Sequence, residues 1–183
     1  MAKSEKKFRE LILLVCSRSE HDKHFGAIKL NKILFHSDFS AYLALGKSIS
    51  GQQYFKLQNG PAPKQFLPVS KKMLDSGDLA YKETEFFGHM QKKPIALRQP
   101  DVSIFSPQEI DVVHKTIQKY WNLNATAISD HSHLFIGWRI ARDKETIPYA
   151  TALVSYRKPS PAEVAYGLEL EPLAQKYLAR AHG

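Results

Sequence analysis

The densest group of chemistry-bearing side chains is Asp130-His131-Ser132-His133. In an extended segment His131 and His133 would share a face, as two ligands of a metal site do; on a helix they diverge. A third ligand would have to arrive through folding, from His36, His114 or Asp38. No third ligand has the spacing of a metal site, so the histidines read as structural, each bonded to backbone or to a carboxylate. Neither a metal nor a cofactor is expected. Gly46-Lys47-Ser48 has the ending of a phosphate loop, yet the first glycine of that motif would fall at Ala41. A helical pattern also precedes it, where a strand is required. Cys16 is the single cysteine. It sits beside an apolar stripe and reads as a small core filler rather than a nucleophile, and it leaves no internal disulfide framework or cysteine-based zinc site. GxSxG, HExxH and Gly-rich dinucleotide signatures are missing. No catalytic residue is assigned on these grounds, and the chain is not read as an enzyme.

The elements that must position these groups centre on Ala27–Leu45, a helical pattern stopped by Gly46. At about 100° per residue, Leu30, Ile33, Leu34, Ala41, Ala44 and Leu45 form one wide arc, which Phe35 and Tyr42 extend. Lys32, His36, Phe39 and Leu43 lie opposite, so even that face is partly apolar. A helix apolar over most of its circumference belongs at the centre of a bundle. Asn31 and Asp38 fall inside the arc and must find hydrogen-bond partners from elsewhere. Asp38 is expected to act as a polar clamp, tying the helix to segment 54–63 or to His133; the alternative is a partner-facing or acid–base group.

Around this helix the pattern predicts a first helix capped by Ser4 and running to about Ser19, with Phe8, Leu11, Ile12 and Val15 on one face. His21 and His24 fall in a solvated loop. Tyr54, Phe55 and Leu57 make a brief strand or a buried loop before the Gly60-Pro61-Ala62-Pro63 turn. A third helix is expected over about Lys64–Asp75, with Pro63 in its first turn, Pro68 distorting its start and Gly77 ending it. Tyr81, Phe86, Phe87, Ile95 and Leu97, with Gly88 near the middle, read as two strands, and Pro94 favours an edge. Ser106-Pro107-Gln108-Glu109 is a capping box opening a helix to about Trp121. Asn124 or Thr126 caps a short helix to about His131. A second capping box, Ser160 with Glu163, opens a last helix that Pro172 kinks or restarts, and this tail is expected to dock on its own core, with contact to a partner as the alternative. The fold class is mainly α (α+β): a compact helical bundle around a central buried helix, with a small β-hairpin or short sheet.

The 183 residues fit one domain, and the 43% hydrophobic content is enough for a core. The longest apolar run, Leu11–Cys16, is six residues, far short of the roughly 20 that cross a membrane. A cytoplasmic, membrane-free protein is expected. The net charge of +8, with a pI near 9.5, favours acidic partners, either a nucleic acid or a protein with an acidic face. The positive residues are dispersed in small groups, so a nucleic-acid surface is not the favoured reading.

A longer constellation then emerges. Lys29-Leu30-x-Lys32-Ile33-Leu34-Phe35, Asp38-Phe39, Gly46, Ile49-Ser50-Gly51, Tyr54 and Gly60-Pro61-x-Pro63 are followed by Ser129-Asp130-x-Ser132-His133, Trp138 and Ile147-Pro148-Tyr149. In order and spacing this resembles the Panacea domain, the SocA-like antitoxin family often noted in phage-associated proteins. The resemblance implies a mostly helical domain over about residues 26–156, preceded by an N-terminal helix and loop (1–25) and followed by a helical extension (157–183). It places family-motif residues at Lys29, Leu30, Lys32, Asp38, Gly51, Tyr54, Gly60, Pro61, His133 and Trp138. It also implies a bacterial or phage antitoxin that neutralises a cognate toxin, encoded next to it, by direct binding. One branch of the family instead delivers its toxin to a bacterial protease. The alternatives carried beside this are a basic nucleic-acid-binding module and a hydrolase using His131, His133 and Asp38.

Overall fold

The helix Ala27–Leu45 (α2) forms with the bounds that its periodicity predicts. Gly46 ends it in the left-handed conformation, φ 71°, with its N–H bonded to the Tyr42 carbonyl. A computed structural model of the chain describes residues 3–86, 89–154 and 159–181. Within it α2 is packed by α1 (Lys3–Arg18), α4 (Pro107–Tyr120) and α5 (Ala125–His133), and by a hairpin and a small sheet. Because neighbours surround it, its second face is buried as well: Lys32 and Phe39 are only 3% exposed. The wrapping fails at the C-terminal end, where Leu43 and Ala44 are exposed.

α1 supplies Phe8, Leu11, Ile12 and Val15 to the core as its stripe predicts. Leu13, Leu14 and Cys16 are buried too, since α2, α3 (Phe66–Asp75), α4 and the hairpin all touch α1. Ser4 is not the cap of α1. It lies inside the first turn, where its hydroxyl donates to the Ser50 carbonyl. The loop after α1 is less solvated than its polarity suggests: Asp22 and Phe25 are buried and His24 is half-buried, while His21 is exposed.

β1 (Tyr54–Phe55) lies between β2 (Ala62–Pro63) and β5 (Thr146–Ile147), both antiparallel to it, with Tyr54 opposite Pro63 and Ile147. Pro63 is therefore an edge-strand residue rather than part of a helix, a position where its missing N–H costs nothing. α3 starts at Phe66, later than expected, which puts Pro68 in its first turn. There proline removes no intrahelical bond. Gly77 follows its end at φ 71°. β3 (Leu79–Phe86) and β4 (His89–Ala96) form the expected hairpin, with Tyr81 opposite Pro94. Phe87 and Gly88 lie outside the described residues.

The Ser106–Glu109 capping box opens α4, and Asn124 caps α5 by accepting from the Ala127 N–H. α5 runs two residues further than predicted. It is followed by α6 (Ile136–Ile140) and a 3-10 turn at Tyr149–Leu153. Ser160 and Glu163 cap α7 (Pro161–Ala181), which continues through Pro172 without a restart. The expectation that this tail docks on its own core is corrected. Every side chain described in it, residues 161–176, is exposed.

Candidate functional site

Asp38 projects from the middle of α2 and is fully buried. Its Oδ1 accepts the Ile49 and Ser50 N–H groups, each at 2.8 Å. Its Oδ2 accepts the Ser50 hydroxyl in a very short bond, and the Tyr54 hydroxyl at 2.7 Å. Burial pulls this carboxyl above the usual aspartate range, and the donated bonds pull it back. The clamp is real, but it holds segment 49–54. His133 is no part of it. Gly51, at φ 70°, lets the chain turn immediately after the two donating amides. Tyr149 closes the same loop by donating to the Gln52 carbonyl at 2.6 Å.

Lys29 and Lys32, one turn apart, point inward in different directions. The Lys29 ammonium is fully buried among the Trp121 and Leu123 carbonyls, at 2.8 and 2.7 Å, and the Asp22 carboxylate at 2.5 Å. It thus pins the loop before α2 and the end of α4 to one helix. The Lys32 ammonium donates to the Pro61 carbonyl at 3.1 Å. Gly60 sits against it at φ 96°, and a Cβ there would stand 2.6 Å from Ser132 Oγ and 2.8 Å from Lys32 Nζ. The Gly-Pro turn is therefore held between α2 and α5.

Helical geometry separates the two histidines. His131 faces inward, 3.1 Å from the Tyr120 hydroxyl and edge-on to His36. His133 stacks on Trp138 with ring centroids 4.1 Å apart. Trp138 donates to the Leu57 carbonyl, and the Lys56 ammonium lies 4.4 Å above its ring, a cation–π contact. Of the two histidines, His36 meets His131 alone, His114 and Asp38 join neither, and among the described residues no three ligand side chains gather for a metal. A recess of about 520 Å³ between the end of α1 and β4 holds none of the motif residues. Several basic side chains are tied up internally: Lys7 with Glu109, Arg9 with Asp78, and Arg98 with Glu10 and Asp78.

The constellation is thus one polar seam. It runs along α2 from Lys29 through Lys32 to Asp38 and fastens three loops and α5. The family model for the SocA-like antitoxin Panacea domain matches residues 30–139, three-fifths of the chain, a stretch that holds Lys32, Asp38, Gly51, Tyr54, Gly60, Pro61, His133 and Trp138. The chain belongs to the SocA-like antitoxin Panacea family. No curated protein and no solved structure matches it.

Membership gives this Panacea domain an antitoxin-type role in general terms. No described helix is long and apolar enough to cross a membrane. Of the motif residues, Lys29, Lys32, Asp38, Tyr54, Gly60 and Pro61 are buried, Gly51 is exposed, and His133 and Trp138 are half-exposed. Sequence reasoning missed Asp22, Lys56 and the Gln52 carbonyl. The first is a carboxylate in a polar loop, the second one lysine among many, and the third a backbone group; none carries a pattern.

Lys32 supplies a measurable signature. Burial pulls its ammonium down to about 8 from the ordinary 10.5. Between those values the unfolded chain binds more protons than the folded one, so stability rises with pH across that window. Relative to Lys32→Met, which cannot titrate, the wild type should gain about 3 kcal/mol from pH 7 to pH 10.5. Urea unfolding of both proteins over that range measures the difference, and parallel curves would refute it.

Proposed function

We propose that this Panacea domain is a cytoplasmic antitoxin without enzymatic activity that neutralises a neighbouring gene's toxin by direct binding. We further propose that the α5–α6 edge is its gripping face. The family match carries the reading. The distribution of the motif residues supports it: the buried members consume their hydrogen bonds internally and make a rigid base. The half-exposed members, His133 and Trp138, sit at the surface with Lys56. Ile140, 68% exposed, adds an apolar side chain on the same short helix. An aromatic stack under a cation, with an exposed apolar side chain on the same short helix, is the kind of composition that interface hot spots have. A stable complex needs roughly 1,200–2,000 Å² of buried surface, so further contacts must surround this edge.

The test is co-expression of the adjacent gene with this one in a bacterial host, followed by co-purification. Growth should be arrested by the neighbour alone and restored by the pair. Ile140→Asp combined with Lys56→Glu should weaken toxin binding at least about thirtyfold, the scale of a hot-spot loss. The melting temperature of the free antitoxin should stay within a few degrees. Immunoblotting of the toxin separates two routes. A constant toxin level indicates masking, and a fall that requires a host protease indicates delivery to it. A neighbour harmless on its own would count decisively against the reading.

A further inference from the structure

The helix α7 turns apolar side chains to solvent. Tyr166, Leu170 and Leu173 recur at helical spacing, within about 60° of arc, and are 62%, 40% and 50% exposed. Glu163 and Glu169 flank this stripe on its two sides. Residues 161–175 contain Glu163, Glu169 and Glu171 and no lysine or arginine, in a chain whose net charge is +8. Val164 and Leu168, 47% and 63% exposed, lie on the opposite side of the helix, and Lys176 and Arg180 follow further along it. The first fifteen residues are thus an acidic stretch with apolar side chains on two faces, only one of them flanked on both sides by carboxylates, and the side chains described over 161–176 are exposed.

The body carries the complementary shape. A groove of about 260 Å³ runs between α2, α4 and α5. Phe39 and Phe135 line it, and so do Leu43 and Leu134, which are 60% and 66% exposed. Lys119 stands at its edge, exposed and without an ion pair among the described residues. An apolar trough with a cationic rim suits an apolar stripe with carboxylate flanks, which is the helix-in-groove mode of recognition.

We infer that α7 of one copy docks in the α2–α4–α5 groove of a second copy, in a reciprocal two-fold exchange. The inference does not depend on the toxin-binding reading. Helix and groove are matched in polarity and charge, and the same chain carries both while leaving both uncovered. The described side chains of α7, residues 161–176, span about 24 Å of a helix about 10 Å wide, so one face buries roughly 480 Å² counting both surfaces. Two such contacts reach about 960 Å², the size of a weak, reversible association. Reciprocity follows because each copy offers one helix and one groove.

The experiment is sedimentation velocity on the full chain, with circular dichroism to confirm folding. The wild type should be a dimer. Lys119→Glu alone and Glu169→Lys alone, both at exposed positions, should each raise the dimer dissociation constant at least about tenfold, since each homodimer then carries two like-charge contacts. An equimolar mixture of the two variants should restore the dimer, because both contacts in the mixed pair are again between opposite charges. A wild type that stays monomeric at about 100 times a micromolar dissociation constant overturns the inference, and that includes docking of α7 back onto its own chain. So does a dimer that neither substitution weakens, or two weakened variants that mixing does not rescue.

Discussion

Asp38→Ala should lower the melting temperature by about 10 °C. Four donors converge on this carboxylate: the Ile49 and Ser50 amides and the Ser50 and Tyr54 hydroxyls. The hydroxyls can rotate toward other acceptors. The two amides cannot, and each buried N–H stranded in this way costs about 1–3 kcal/mol. With the space left behind, the loss is about 4 kcal/mol, and for a domain of this size each kcal/mol is worth roughly 2–4 °C. Asp38→Asn should recover at least half of that loss. Its carbonyl can still accept both amides, and its NH2 can donate to hydroxyls that turn to accept. Calorimetry on the three proteins measures both steps. If Asp38→Ala melted within 2 °C of the wild type, roughly the value of a single kcal/mol, the clamp would not be holding the loop.

Gly60→Ala is the second large effect, and its cause is crowding. The residue sits at φ 96°, where an L side chain costs about 1–2 kcal/mol. The new methyl would also meet Ser132 Oγ and the end of Lys32 at distances that real Cβ atoms do not tolerate. Both neighbours are buried and bonded, Ser132 to the Ser129 carbonyl and Lys32 to the Pro61 carbonyl, so neither yields freely. Overpacking of this kind adds about 1–3 kcal/mol, for a total near 3 kcal/mol and a fall of roughly 6–12 °C. Gly46→Ala is the control. Its φ of 71° is also left-handed, but nothing lies within 4 Å of the added Cβ. It should therefore lose only the backbone part, about 1 kcal/mol. Equal losses at the two positions would show that the Lys32–Gly60–Ser132 contact carries no energy of its own.

These two sites mark what was readable from residue order. The helix stops and starts at Gly46, Ser106, Asn124 and Ser160 were legible because a cap bonds within four residues of itself, so both partners appear in one short word of sequence. The burial of α2 was legible from its apolar circumference, and the need for a clamp at Asp38 from a carboxylate placed among those side chains. The start of α3 was not, because Pro63 satisfies an edge strand as well as a helix start, and the β1–β2 pairing decides between them.

Local sequence therefore determined the elements, the central place of α2 and the presence of a polar problem at Asp38, since periodicity and capping act over a few residues. Tertiary structure alone decided which groups answer the buried charges. Two of the three partners of Lys29 stand 92 and 94 residues away, and Lys56 reaches Ala141 across 85. No local pattern encodes such distances. It alone sent His131 to Tyr120 and His133 to Trp138, because the segment became a helix. It alone left α7 uncovered, because an apolar stripe records what a helix must bury and says nothing of which molecule buries it.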